Sequence, residues 1–122
     1  MNDRTVVSID NAEHYTWGDH CDGYHLARTA RLSVIQERVP PGCREVRHSH
    51  RHAEQFFHVL SGTATLEVDG IEYHLGPGQG LHVAAGVPHQ LGNEGTEDLE
   101  FLVTSTPPSH GDRIEVPLPA DT

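Results

Sequence analysis

Between residues 32 and 105 the chain never keeps one apolar run going for long. "LSVIQERV" (32–39) stops at the Pro-Pro-Gly of 40–42, "EVRHSH" (45–50) follows, and "QFFHVLSG" (55–62) runs into "TATLEV" (63–68). Asp69-Gly70 is a hairpin dipeptide, "IEYHL" (71–75) ends at "GPGQG" (76–80), "LHVAA" (81–85) ends at "GVPH", and "LEFLVTS" (99–105) ends at "TPP". None of these segments has an apolar repeat near 3.6 residues with helix caps. Short strands at close, regular spacing predict an all-β sandwich or barrel. "HYTWGDHCDGYHLARTA" (14–30) is expected to add one or two irregular strands, with Trp17 as a core plug. The Pro-rich end, from 106, is expected to be a surface tail or an edge strand with its last residues loose.

At 122 residues the chain suits a single domain, expected to span 1–122, with strands of 1–30 packed on a barrel core of 31–105 and a tail over 106–122. The balance of 8 Lys+Arg against 18 Asp+Glu gives a net charge of −10, which repels nucleic-acid phosphate and anionic lipid. No apolar run approaches a membrane span, and "MNDRTVVSID" has no apolar signal region, so a cytoplasmic protein is expected. Cys21 and Cys43 stand apart without a CxxC motif and read as two free thiols in preference to a disulfide.

The stretch "HSHRHAEQFFH" (48–58) holds four of the chain's 11 histidines. On a strand, His48 and His50 face one side, about 6.6 Å apart at the backbone, so their imidazoles can converge on one ion. His52 has the same parity but falls in what reads as a loop. Alone, an HxH pair is equally a pair of solvated histidines. The wider pattern is more specific. "GCREVRHSHRHAEQFFHVLSG" (42–62) resembles the first motif of the cupin superfamily, and "GQGLHVAAGVPHQLGN" (78–93) resembles the second, with fifteen residues (63–77) between them. Ala84 stands where the second motif has Pro. The resemblance implies a double-stranded β-helix, a small conical barrel of two antiparallel sheets.

It also implies a metal site of His48, His50, His89 and a fourth ligand where the family has Glu. Glu54 and Gln55 both fit the spacing from His50, and the six residues (56–61) that the motif places before Gly62 point to Gln55. If Gln55 faces the interior, so do Phe57 and Val59, while Glu54, Phe56 and His58 face out. That arrangement favours Gln55. The set suits Fe, Mn, Ni, Cu, Co or Zn, and leaves two positions of an octahedral ion for a small-molecule ligand. Two functions fit: a metal-dependent enzyme on a small oxygenated or anionic molecule (dioxygenase, isomerase or decarboxylase), and a non-catalytic binding module for a sugar or small acid. The second stays open because no clear general base is visible; Glu37 reads first as an exposed strand glutamate and second as an acid/base. His82 is open between lining and surface, Phe57 and Tyr73 read as core or pocket wall, and Asp112-Arg113 as an anchor for the tail. A homodimer is expected, with "HLARTARLSVIQE" (25–37) supplying the strand that pairs across the two-fold.

Overall fold

The structure is a computed structural model that describes residues 4–109 and 111–119. The last residues, expected to be loose, lie partly outside this range. Eleven strands follow in order: β1 Glu13–Trp17, β2 Cys21–Arg28, β3 Ser33–Val39, β4 His48–His50, β5 Glu54–Ser61, β6 Ala64–Val68, β7 Ile71–Leu75, β8 Gly80–Val83, β9 His89–Gly92, β10 Leu99–Thr106 and β11 Arg113–Glu115. No helix occurs among the described residues, so none crosses a membrane.

The strands form two sheets, β1-β2-β3-β10-β5-β8 and β11-β4-β9-β6-β7, and neighbouring strands pair antiparallel throughout the described residues. Alternation explains which faces meet. On β10, Leu99, Phe101, Val103 and Ser105 are buried, while the residues between them are partly exposed. On β5 the buried set is Gln55, Phe57 and Val59. The apolar members of both sets join Val39, Leu66, Leu75, Val83 and Leu91 in one core between the sheets.

The turns follow their sequence signals. Asp69 (φ 51°) and Gly70 (φ 89°) both adopt positive φ, as a two-residue hairpin requires, and join β6 to β7. Gly62 (φ 79°) closes β5 where a Cβ would stand 2.5 Å from the Asp98 carbonyl oxygen. Asn93, at the end of the second motif, is 1% exposed and structural. Its amide donates to the carbonyls of Val39 (2.9 Å) and Glu97 (2.7 Å), and its oxygen accepts from the Gly95 N–H (2.9 Å).

Two expectations need correction. Segment 25–37 is not an edge of its sheet: β2 lies between β1 and β3, and β3 between β2 and β10, and only the end of β2 beyond His25 lacks a register partner in β1. The sheet's edges are β1 and β8. Tyr73 is 37% exposed and not core, because β7 is an edge strand and the Leu66↔Tyr73 pair places that ring at the border of the second sheet.

Candidate metal centre

β4 and β9 meet at one register pair, His48↔His89, and His50 lies two residues along β4 on the same face. All three imidazoles are buried, with ring centroids 4.5 Å apart for His48–His89, 4.8 Å for His48–His50 and 5.9 Å for His50–His89. One nitrogen from each lies within 4.8 Å of the others, so the three can share an ion.

The outward nitrogens are already committed. His48 Nδ1 faces the Val46 carbonyl at 2.7 Å, His89 Nδ1 the Val87 carbonyl at 3.0 Å, and His50 Nδ1 the Asp112 carboxylate at 2.7 Å. Each of these oxygens can only accept, so each Nδ1 carries the proton and each Nε2 keeps its lone pair. Burial, before any other cause, pulls His48 down to about 3 and also lowers His89, which keeps both rings in the neutral, ligating form.

Gln55 shares the cavity with His48 and His50. Its amide N–H donates to Ser105 Oγ at 3.0 Å, which orients the group and leaves Oε1 without a donor. His89 Nε2 is likewise buried without a partner. An unsatisfied buried polar atom costs about 1–3 kcal/mol, and here two acceptors carry that penalty. A cation is the species that two acceptors and two further imidazole lone pairs would suit, so the residues present fit a metal.

The cavity has a volume of about 460 Å³ and includes Tyr15, Trp17, Phe57 and Val103 in its wall. Glu37 and Glu45 also line it. Burial first, then repulsion from Glu45, pushes the Glu37 carboxyl up to about 8, against weaker opposing effects of the Trp17 indole and Arg113. The indole N–H lies beside Glu37 but falls short of a well-formed hydrogen bond. Glu45 is pushed up to about 7 by burial, although it accepts the Leu91 N–H at 3.0 Å. Tyr15 is raised by burial and then by Glu37. A smaller cleft of about 100 Å³, beside Arg44, Glu67 and Glu72, contains none of the three histidines.

Of the residues singled out from sequence, His48, His50 and His89 come together, and Gln55 lines the cavity that His48 and His50 also line. Glu54 is on the opposite face of β5, where its carboxylate meets His82 Nε2 at 2.8 Å and both side chains are 56% exposed. His82 is thus a surface residue, and His52 and the half-buried His58 also lie outside the cavity lining. Glu37 is not the exposed strand residue expected; it is half-buried and turned into the cavity. Trp17 packs against the core but also walls the cavity. Asp112 does anchor the tail, accepting the N–H groups of His52 (2.9 Å) and Ala53 (3.0 Å), but it also holds His50. No local pattern marks that second role, since the two residues are 62 positions apart.

A family model described as a cupin domain matches residues 35–105. An uncharacterized protein of Methanocaldococcus jannaschii is 26% identical over 89 residues, covering 72% of this chain and 71% of that one. Quercetin 2,3-dioxygenase of Bacillus subtilis is 39% identical over 56 residues, 46% of this chain and 17% of that enzyme. The chain likewise spans only 21% of the mannose-1-phosphate guanylyltransferase of Escherichia coli that it matches. Among solved structures, KdgF from Halomonas sp. superposes with a TM-score of 0.80 at 16% identity, covering 88% of this chain and 96% of that one. With both motifs, two antiparallel sheets and a family match over most of its length, this chain belongs to the cupin family.

Proposed function

We propose that the chain is a divalent-metal-dependent enzyme acting on a small oxygenated or anionic molecule, with His48, His50, Gln55 and His89 as the ligands. The observation that carries this reading is the pair of buried acceptors without donors, His89 Nε2 and Gln55 Oε1. Fe, Mn, Ni, Cu, Co and Zn all suit such a set. A bound ion would supply Lewis acidity toward two adjacent substrate oxygens, at full charge because no ligand is anionic. Asp112 and the Val46 and Val87 carbonyls hold the imidazoles in the ligating tautomer. Trp17, Tyr15 and Phe57 offer an apolar wall, and Arg113 a positive charge for an acidic group. Glu37 serves as the proton carrier: a carboxyl that titrates near neutrality can accept and return a proton within one turnover. It fills the place of the general base whose absence kept the binding-module reading open. The likeness to an enzyme named as a quercetin dioxygenase supports an oxygenated substrate.

Elemental analysis of protein purified without a metal-affinity tag tests the centre. His89→Ala abolishes stoichiometric metal, and His48→Ala or His50→Ala does so nearly as fully. A triple variant that keeps full occupancy overturns the ligand set. Gln55→Glu holds the ion at least as tightly but, by lowering the site charge by one, binds small carboxylates more weakly in calorimetry. Metal and ligand binding without turnover across a panel of small acids would make the protein a binding module.

A homodimer belongs to the same proposal. Phe56 (45% exposed) and Leu60 (41%) stand on the outer face of β5, and β1 and β8 end their sheet. Light scattering at micromolar concentration checks it, and a monomer there removes it.

A further inference from the structure

The turn between β1 and β2 carries Gly18 to the cavity wall beside Trp17, and two cysteines pack about this turn. Cys21 opens β2 and is 1% exposed. Its Sγ lies 3.7 Å from where a Cβ on Gly18 would stand. Cys43 belongs to the loop that leads into β4 and is half-buried. Its S–H donates to the carbonyl oxygen of Asp19, the next residue of the same turn, at 3.3 Å. Cys43 also packs against the core cluster that contains Cys21, and the two thiols are close enough for side-chain hydrogen bonding. Both are free.

We infer that Cys21 and Cys43 are a reversible dithiol–disulfide pair that ties the β1–β2 hairpin to the loop entering β4. The oxidant is a low-molecular-weight disulfide of the glutathione class. Cys43, the more accessible thiol, loses its proton to water and attacks one sulfur of the oxidant. The oxidant's S–S bond breaks, and one small thiolate leaves and takes up a proton. Cys21 then loses its proton and attacks the Cys43 sulfur, forming the intramolecular bond and expelling the second small thiolate, which is protonated in turn. Two protein thiols are oxidised and one small disulfide is reduced to two thiols. Burial pushes Cys21 up to about 11, so ring closure accelerates as pH rises.

The bond has a location that matters to the cavity. Trp17 and Gly18 line it from the hairpin, and Arg44 and Glu45 line it from the loop. In the dithiol state these walls are joined by non-covalent contacts, and in the disulfide state by a covalent link. The inference stands independently of whether a metal is bound.

The test uses the full chain in graded ratios of oxidised to reduced glutathione, quenched with acid and read by intact mass. The expected product is a monomer lacking two hydrogens, with both thiols lost together. Cys21→Ser instead retains a stable glutathione adduct at Cys43. In the oxidised wild type, amide exchange slows at 17–21 and 43–45, and the thermal midpoint rises by several degrees. Persistence of the glutathione adduct in the wild type, oxidation only between chains, or two unreactive thiols in the folded protein would each overturn the inference.

Discussion

The two sheets are held together differently. In the six-stranded sheet the backbone ladder is long: β10 has seven register pairs with β3 and seven with β5, and its inward side chains are mainly apolar. In the five-stranded sheet, which carries the three histidines, β4 and β9 share a single register pair. Side chains bridge what the ladder leaves open. Arg47, just before β4, forms a two-pronged pair with Glu67 on β6 (2.6 and 2.9 Å) and donates to the Val116 carbonyl (3.0 Å). The Gln90 amide donates to the Glu45 carbonyl at 2.8 Å. Beside the imidazoles the ladder shortens to one register pair, backbone bonds join the loop before β4 to β9 (Glu45 N–H to the Leu91 carbonyl, 3.0 Å), and polar side chains add to them. Several charged residues near the site are thus structural.

Removing one such joint should give the largest effect. Arg47→Ala leaves the Glu67 carboxylate largely buried without its partner, and urea denaturation is expected to show a loss of about 3–5 kcal/mol. The exposed Arg28–Glu13 pair of the other sheet, at 3.4 Å, provides the contrast: Arg28→Ala changes stability by no more than about 0.5 kcal/mol. Equal losses would erase the distinction between the sheets.

Next comes pH, read on metal-free protein. The folded Glu37 carboxyl, at about 8, is raised above its ordinary 4.5. Its stabilising contribution is therefore complete below the unfolded value and is lost as pH rises through the folded one. Wild type should lose a few kcal/mol between about pH 5 and pH 9, and Glu37→Gln should lose distinctly less. Glu45 adds a slope of the same sign, from its value near 7, in both proteins. An unchanged slope in Glu37→Gln would mean that Glu37 ionises freely in the fold.

Asp112 tests the tail's share in the site. Asp112→Ala should weaken metal affinity about 10- to 100-fold in a chelator competition, since His50 loses its oriented acceptor. Asp112→Asn, whose side-chain oxygen still accepts, should recover part of that loss. The smallest effect belongs to Glu54→Gln: with its carboxylate on the outer face beside His82, metal content stays unchanged and stability shifts by under about 0.5 kcal/mol. Metal loss in this variant would move the fourth ligand to Glu54.

The features legible in the sequence are those set by a short repeat. Period-two alternation separates Gln55, Phe57 and Val59 from Glu54, Phe56 and His58 on β5, and Asp69-Gly70 announces its own turn. Features set by closure of the barrel were not legible. His50 and Asp112 meet across 62 positions, Gln55 and Ser105 across 50, and Cys43 reaches Asp19 from a separate loop. Glu37 alternates along β3 like any strand residue, and only burial beside the β1–β2 hairpin and the neighbouring Glu45 make its carboxyl hard to ionise, against the opposing charge of Arg113. Tyr73 shows the reverse failure, an aromatic on a good strand pattern whose strand happens to lie at an edge.

β11 pairs with β4 through Arg113↔His50 and Glu115↔His48, and the residue before it supplies the acceptor for His50. A chain cut back before Asp112 would keep His48, His50 and His89 but not that acceptor. In such a chain His50 would lack the group that sets its proton, and β4 would lack its outer neighbour. Order among the three imidazoles is therefore a property of the whole barrel, delivered by a segment that contains none of them.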